Sequence, residues 1–420
     1  MKKTILSAAL AATAISTVCV SSLVSAESSN DTSFNPKISV ILDGVYYSDN
    51  KDGEGIEHIE EMSGILGSHG HGEDEHGHGE LERGFNIREA EVTLSGTVDP
   101  HFDAWMTVAF SDGETEIEEA YFETRALPLG WKIKAGKFLS GIGYHNEQHL
   151  HSWSFSDQTL AHQTFFGDHG LADSGLQVTY LPATPIYTLV GVELFQGDQD
   201  KFGALVDHED LEEDAGPRLS TIFAKIAPEI SSGSELQLGV SVVRNGQHQE
   251  DHSEDPDVEV LEGDVLLWGL DAVFKKLPTG SYGEGGLTLQ AEYFNVKKDL
   301  TIEVASDADE LGEEVTGKQD AFYLQAVYGI APRWSIGARY EKVGFVNELE
   351  EESKDELGDS RRLSLAATWQ PTEYSKFRLQ FARADISEFD EDAGAATSET
   401  FNQIYLQYNV SLGAHGAHQF

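Results

Sequence analysis

Residues 403–412 read Gln403-Ile404-Tyr405-Leu406-Gln407-Tyr408-Asn409-Val410-Ser411-Leu412, and this stretch decides the fold. Ile404, Leu406, Tyr408, Val410 and Leu412 alternate with Gln403, Gln407, Asn409 and Ser411, which is the period of two of a strand with one apolar and one wet face. Working back along the chain, Trp334, Ile336, Ala338 and Tyr340 alternate with Ser335, Gly337, Arg339 and Glu341 in the same way. Leu363, Leu365, Ala367 and Trp369 interleave with Arg362, Ser364, Thr368 and Gln370, and Leu236, Leu238, Val240 and Val242 with Gln237, Gly239 and Ser241.

Sixteen such segments lie at roughly 38–47, 86–98, 102–111, 116–125, 131–138, 175–181, 186–195, 219–226, 235–244, 265–275, 286–295, 321–328, 334–343, 361–370, 376–385 and 400–412. Short connections at 99–100, 127–130, 181–185, 227–234, 276–285, 329–333 and 370–375, most carrying proline or glycine, alternate with longer polar segments. The longer ones are 48–85, 139–174, 196–218, 245–264, 296–320, 344–360 and 386–399, and only the link at 111–115 is short where the alternation asks for a long one. An even number of strands whose long loops all fall at one end predicts an all-β fold: a 16-stranded antiparallel transmembrane β-barrel with short periplasmic turns and long extracellular loops. Trp131, Phe138, Tyr180, Trp334, Tyr340, Trp369 and Tyr408 sit near strand ends, where a lipid-facing girdle is expected.

The N-terminus reads as a targeting segment. Lys2 and Lys3 precede an apolar core from Ile5 to Ile15, and Val24-Ser25-Ala26 offers small residues for cleavage, so 1–26 is expected to be a signal peptide and 27–420 the barrel. The single cysteine, Cys19, falls inside the signal, so the remainder holds neither a disulfide framework nor a thiolate site. Lys and Arg number 28 against 73 Asp and Glu, a net charge of −45 that becomes −47 without Lys2 and Lys3. Such an acidic excess argues against nucleic acid as a partner.

Gly84-Phe85-Asn86-Ile87-Arg88-Glu89-Ala90-Glu91, followed by Leu94-Ser95-Gly96 and Val98-Asp99-Pro100, resembles the second strand of the general porins and the phosphate-selective porin O and P group. The His-Gly-rich segment before it and the ending Ser411-Leu412-Gly413-Ala414-His415-Gly416-Ala417-His418 resemble a subfamily labelled zinc-regulated outer-membrane receptors or porins. The closing Phe420 resembles in part the C-terminal aromatic signal for barrel assembly. The resemblance implies a homotrimer in the bacterial outer membrane, and a loop after strand five, 139–174, that folds into the lumen as a constriction. Strand one begins about a dozen residues past the cleavage site, so no plug of the kind found in 22-stranded receptors is expected.

Strand parity directs Glu89, Glu91, Asp103, Glu119 and Glu123 toward the lumen from strands two to four. Lys132 and Lys134 follow from strand five, and Arg339, Arg362 and Arg378 from strands 13 to 15. Carboxylates on one wall and guanidinium groups on another set a field across a pore. The constriction loop carries Glu147, Asp157, Asp168 and Asp173 with His145, His149, His151, His162 and His169. Under strongly acidic loops, this mixture predicts passive diffusion of small hydrophilic solutes or ions with weak cation preference.

Two clusters could hold a metal: His69, His71, His76 and His78 in the His-rich loop 48–85, and His145, His149 and His151 near the pore. Imidazoles and carboxylates separated by glycine can fold around zinc, copper or nickel, although a glycine-rich histidine tract can equally be a solvated loop tip. The alternative function is therefore a zinc or divalent-metal acquisition channel with a labile Zn2+ site and no required cofactor. Divalent cations bridging acidic loops to lipopolysaccharide are a further partner of such a surface. No local motif assembles a nucleophile, a base and an orienting group, so no enzyme is expected.

Overall fold

The computed structural model describes residues 36–53, 55–60, 62–66, 81–111, 114–199, 201–206, 208, 211, 215–253, 258–351, 353–390 and 394–413. The signal segment, His69, His71, His76, His78 and the C-terminal Phe420 lie outside them. Sixteen strands form one closed antiparallel barrel: β1 Lys37–Asp49, β2 Gly84–Thr97, β3 Phe102–Ser111, β4 Glu114–Thr124, β5 Trp131–Leu139, β6 Ala172–Tyr180, β7 Tyr187–Phe195 and β8 Leu219–Ala227. They continue as β9 Ser234–Asp251, β10 Glu259–Lys276, β11 Leu287–Ala305, β12 Glu314–Ala331, β13 Trp334–Glu350, β14 Ser360–Thr372, β15 Ser375–Asp390 and β16 Ala395–Gly413. Three-residue strand segments at Glu229–Ser231 and Lys354–Glu356 extend the ladder at its rims. Closure is made where β1 pairs with β2 on one side and β16 on the other, Ser39 to Asp49 lying opposite Gly413 to Gln403.

The outer face is apolar, with Leu176, Ile222, Val240, Leu266, Leu324, Leu363, Leu379 and Leu406 all exposed. Trp334, Trp369, Phe377 and Tyr408 form a continuous ring row at one end of β13 to β16, with centroid spacings of 5.9, 5.6 and 5.1 Å, and Trp131 stacks on Tyr180 at 4.6 Å. An apolar band edged by such a row suits a bilayer, since closed barrels leave no unpaired backbone in lipid. Phe138 departs from the expected girdle: it is fully buried inside, against Phe195 and Tyr121.

Several strands on the second half of the chain are longer than their periodicity indicates. β9 to β12 run to 18 or 19 residues, and most of 245–264, 296–320, 344–360 and 386–399, expected as long loops, is strand. In these extensions polar side chains such as His248, Glu250 and Lys298 are buried beside a small apolar cluster of Leu261, Leu300, Ile302 and Val315, so simple alternation disappears while the ladder continues. Polarity there marks the membrane boundary and not the end of a strand.

Two bulges alter parity at the inner wall. The β1–β2 register passes from Asp43↔Glu89 to Gly44↔Ile87, leaving Arg88 unpaired in the ladder, and Arg88 and Glu89 are consecutive buried residues. The β3–β4 register passes from Thr107↔Glu119 to Val108↔Ile117, leaving Glu118 extra. A bulge sets two residues against one, which lets adjacent side chains share a face.

Between β5 and β6 the chain turns into the barrel. The β4–β5 ladder covers only Ala120 to Glu123 against Lys137 to Lys134, and beyond it the Glu119 side chain accepts the Leu139 N–H at 3.1 Å. Gly136 permits this close passage with φ of +131°, because a Cβ there would stand 2.1 Å from the Ala120 carbonyl oxygen. Inside, α2 (Leu160–Phe166) is capped by the Thr159 hydroxyl, which accepts from the His162 N–H at 3.3 Å. Its Phe165 and Phe166 pack with Phe138, Phe195 and Phe294 of the wall and with Phe202 of the connection between β7 and β8. A short helix in the first loop, α1 (Glu57–Glu60), brings Ile59, Met62, Ile65 and Leu66 into the same core. The inner face is therefore apolar where the two loops dock, a departure from the uniformly wet lumen that alternation predicts.

Candidate functional site: the constriction loop and the wall it meets

Residues 140–171 make contact around most of the inner circumference. Glu193 on β7 accepts from Gly141 N at 2.9 Å and from the Ser140 hydroxyl. Glu292 on β11 accepts from Tyr144 N and His145 N at 3.2 and 2.7 Å, and Glu341 on β13 from Leu160 N at 2.9 Å. Buried carboxylates thus serve as acceptors for backbone N–H groups that have no ladder partner. On β15 the Gln380 side chain accepts the Ser156 N–H at 2.7 Å, and Arg378 donates to the Trp153 carbonyl at 2.8 Å. Arg88 on β2 donates to the Ser156 carbonyl from the other side.

The expected basic wall is bound by this loop. Asp157 meets Arg339 at 2.6 Å and Arg362 at 3.0 Å, and Glu341 meets the same two guanidiniums at 3.0 and 2.7 Å. Burial opposes a charge on Asp157, but Arg339 and Arg362 outweigh it and hold the carboxyl below its ordinary value. Arg378 donates to Gln407 at 2.9 Å as well as to Trp153. All three predicted arginines are buried and engaged.

The acidic wall faces two of the predicted histidines. His149 Nε2 lies 3.0 Å from Glu119 Oε2, while its Nδ1 lies 3.4 Å from Glu118 and 3.8 Å from Glu91. His151 Nδ1 is 3.0 Å from Glu91, and the two imidazoles stack at 5.8 Å. Burial disfavours charge on His149, but hydrogen bonds to Glu118 and Glu119 together with their field outweigh it, raising its pKa well above the ordinary histidine value. Glu89 is buried beside them on β2.

His145 is placed apart from this pair. Its ring packs against Trp153 at 5.1 Å and His162 at 4.7 Å, and His162 Nε2 lies 3.7 Å from Glu292. Burial pushes His162 down to about 3, and burial with the nearby His162 and Arg339 holds His145 well below the ordinary range. Asp103, Glu123 and Lys132 lie toward the turn end, where Asp103 pairs with Arg125 at 2.6 Å and Lys132 with Glu123 at 3.1 Å. Lys134 sits over the Tyr121 ring at 4.6 Å. Arg88, Glu118, Glu193, Glu292 and Glu341 join the site without having been singled out in the sequence: bulges hide the first two, and the others became significant only when the loop docked on them.

What the loop leaves open is a cavity beside β2 to β4. Six carboxylates line it, from Glu60, Glu89, Glu116, Glu118, Asp157 and Asp168, against two arginines, Arg88 and Arg362. Both arginines are engaged by the loop, and with His149 and His169 also in the lining the carboxylates remain in excess.

A closed barrel with an apolar outer band and an in-folded loop defines the class: this is a β-barrel of the outer-membrane type. No family model matches the chain. It belongs to one family with an uncharacterized protein of Aquifex aeolicus (strain VF5), to which it is 33% identical over 393 residues, 92% of this chain and 80% of that one. Among solved structures it is similar to OmpT, an outer membrane protein of Vibrio cholerae, in its trimer form, with a TM-score of 0.53 and 11% identity over 90% of this chain and 99% of that one. It is also similar to the outer membrane channel DcaP of Acinetobacter baumannii, with a TM-score of 0.51 and 13% identity over 89% and 96% of the two chains. These likenesses show the shared barrel fold.

Proposed function

We propose that the protein is an outer-membrane diffusion channel for small hydrophilic solutes or ions, with weak preference for cations. The observation that carries the preference is the division of charge in the lumen. Asp157 and Glu341 neutralise Arg339 and Arg362, and Glu116 pairs with Lys137, yet six carboxylates against Arg88 and Arg362 leave the cavity lining with an acidic excess. Rings of acidic side chains favour cations by lowering their electrostatic cost of entry. The refolded barrel in a planar bilayer across a potassium chloride gradient should show stepwise conductance with a reversal potential of the sign for cations. Replacing Glu89 and Glu116 by glutamine should move that potential toward zero. Conductance with anion preference would defeat the selectivity, and a folded barrel without conductance would defeat the channel.

A second reading, collection of zinc or another divalent metal by His69, His71, His76 and His78, is supported by where that segment is tethered. Leu66 and Leu81, which flank it, are both buried in the barrel mouth. Ile65 N donates to Gln319 at 3.3 Å and Ser63 N to the Ser387 carbonyl at 2.9 Å. A labile site there would raise the metal concentration above the pore. Homotrimeric assembly is proposed by analogy with the trimer form of OmpT, with outer-membrane lipid and lipopolysaccharide as surroundings.

A further inference from the structure

Three atoms on the acidic wall converge without a common partner. Glu91 Oε1 accepts from the Thr93 hydroxyl at 2.7 Å, and Glu119 uses both oxygens, one for Leu139 N and one for His149 Nε2. Glu91 Oε2 and Glu118 Oε2 are buried, and the Glu91 oxygen also has His151 Nδ1 at 3.0 Å. Both point to His149 Nδ1, at 3.8 and 3.4 Å. Glu91 is 3% exposed. With the Nε2–H of His149 donated to Glu119, a neutral imidazole turns the Nδ1 lone pair toward two carboxylate oxygens. Three acceptors then face one another, an arrangement that either a proton on His149 or a bound metal cation neutralises.

We propose that Glu91, Glu118 and His149 form a binding site for a divalent transition-metal ion of the zinc type, with Glu119 as the positioning residue behind His149. The three ligand atoms all lie within 4.8 Å of one another. Ligands about 2.1 Å from a tetrahedral ion stand about 3.4 Å apart, so the pocket needs little contraction to close on one. One imidazole and two carboxylates suit zinc or its neighbours in the first transition row better than calcium, which takes six or more oxygens. A carboxylate behind a ligating histidine fixes its tautomer and raises its basicity, and Glu119 is so placed. The bulge at Glu118 builds the site: without it Glu118 and Glu119 could not both face inward. Access is open, because Glu118 and His149 line the cavity beside β2 to β4. The site's place on the solute path rests on the channel reading above; the binding itself does not.

Co2+ is the probe, since tetrahedral coordination gives it intense visible absorption. The full-length refolded barrel is used with His69, His71, His76 and His78 replaced by alanine, so that the tethered segment contributes nothing. One Co2+ per barrel, with a tetrahedral spectrum displaced by Zn2+, is expected. Affinity should fall at least ~10-fold in E118Q and in H149Q, and by ~10- to 100-fold in E119Q, the range for loss of a partner behind a metal ligand. Heat-modifiable migration on gels reports folding of each variant, and E118Q carries the test if H149Q does not fold. Absence of Co2+ binding in the four-histidine variant, or binding unchanged by E118Q, would overturn the site and leave a protonated His149 as the cation among the carboxylates. Conductance of the same preparation is read separately, so loss of the metal site and loss of the channel are distinguishable.

Discussion

Asp157 holds the in-folded loop to the wall of Arg339 and Arg362. Breaking a buried ion cluster by removing one partner typically costs about 3–5 kcal/mol, because the charges left behind remain desolvated. Asp157→Asn should therefore loosen the loop, seen as faster hydrogen exchange across 153–162. It should also shift the reversal potential toward anions, since Arg339 and Arg362 keep only Glu341. His162 acts in the opposite sense on acidification. Its folded pKa is depressed to about 3 by burial, against about 6.5 in an undocked chain. The undocked state therefore binds more protons between these values, and docking weakens as pH falls below about 6.5. The groups facing the ring are His145, Tyr323 and Glu292, so the slope belongs to the cluster, in which burial depresses His145 as well. Loop exchange rates should rise from pH 7 to pH 5, and His162→Gln should flatten that rise; an unchanged slope would refute the assignment.

At the scale of the element, β4 and β5 show what a sequence carries and what it does not. Alternation located both strands, and parity identified Glu119 as inward-facing. It could not show that Glu118 also faces inward, because one bulged residue leaves no mark in hydrophobic period. Nor could it show Arg88 beside Glu89 for the same reason. The long ladders of β9 to β12 escaped because extensions whose polar residues, such as His248, Glu250 and Lys298, are buried without simple alternation read as loops. The in-folded loop came from family resemblance, and its docking partners were not legible until the walls were assembled. Gly136 is the position where this seam tolerates least: its φ of +131° and the 2.1 Å approach of a built Cβ to the Ala120 carbonyl oxygen exclude larger residues. Gly136→Ala should cost about 1–3 kcal/mol, and heat-modifiability on gels should show unfolding at a lower temperature.

For the whole molecule, the net charge of −45 and the lumen act together on permeation. Acidic segments at the rim attract cations over a Debye length of about 8 Å at physiological salt and about 3 Å at 1 M. In the proposed channel, the rim's share of cation preference should therefore fade as salt rises, while that of the enclosed Glu89 and Glu118 should persist. Measuring the reversal potential at a fixed gradient ratio and rising total salt separates the two.

Ser156 joins three strands near the point where the barrel closes. Its N–H donates to Gln380 on β15, its hydroxyl to Gln407 on β16 at 3.2 Å, and its carbonyl accepts from Arg88 on β2. Of these, β16 and β2 flank β1, whose Asp43 accepts from Gln407 at 2.6 Å. The loop thus works as a clasp across the first and last turns of the hoop. The earliest and latest strands of the chain cannot part without unseating it, and the in-folded segment also braces the cylinder against bursting open where its first and last strands meet.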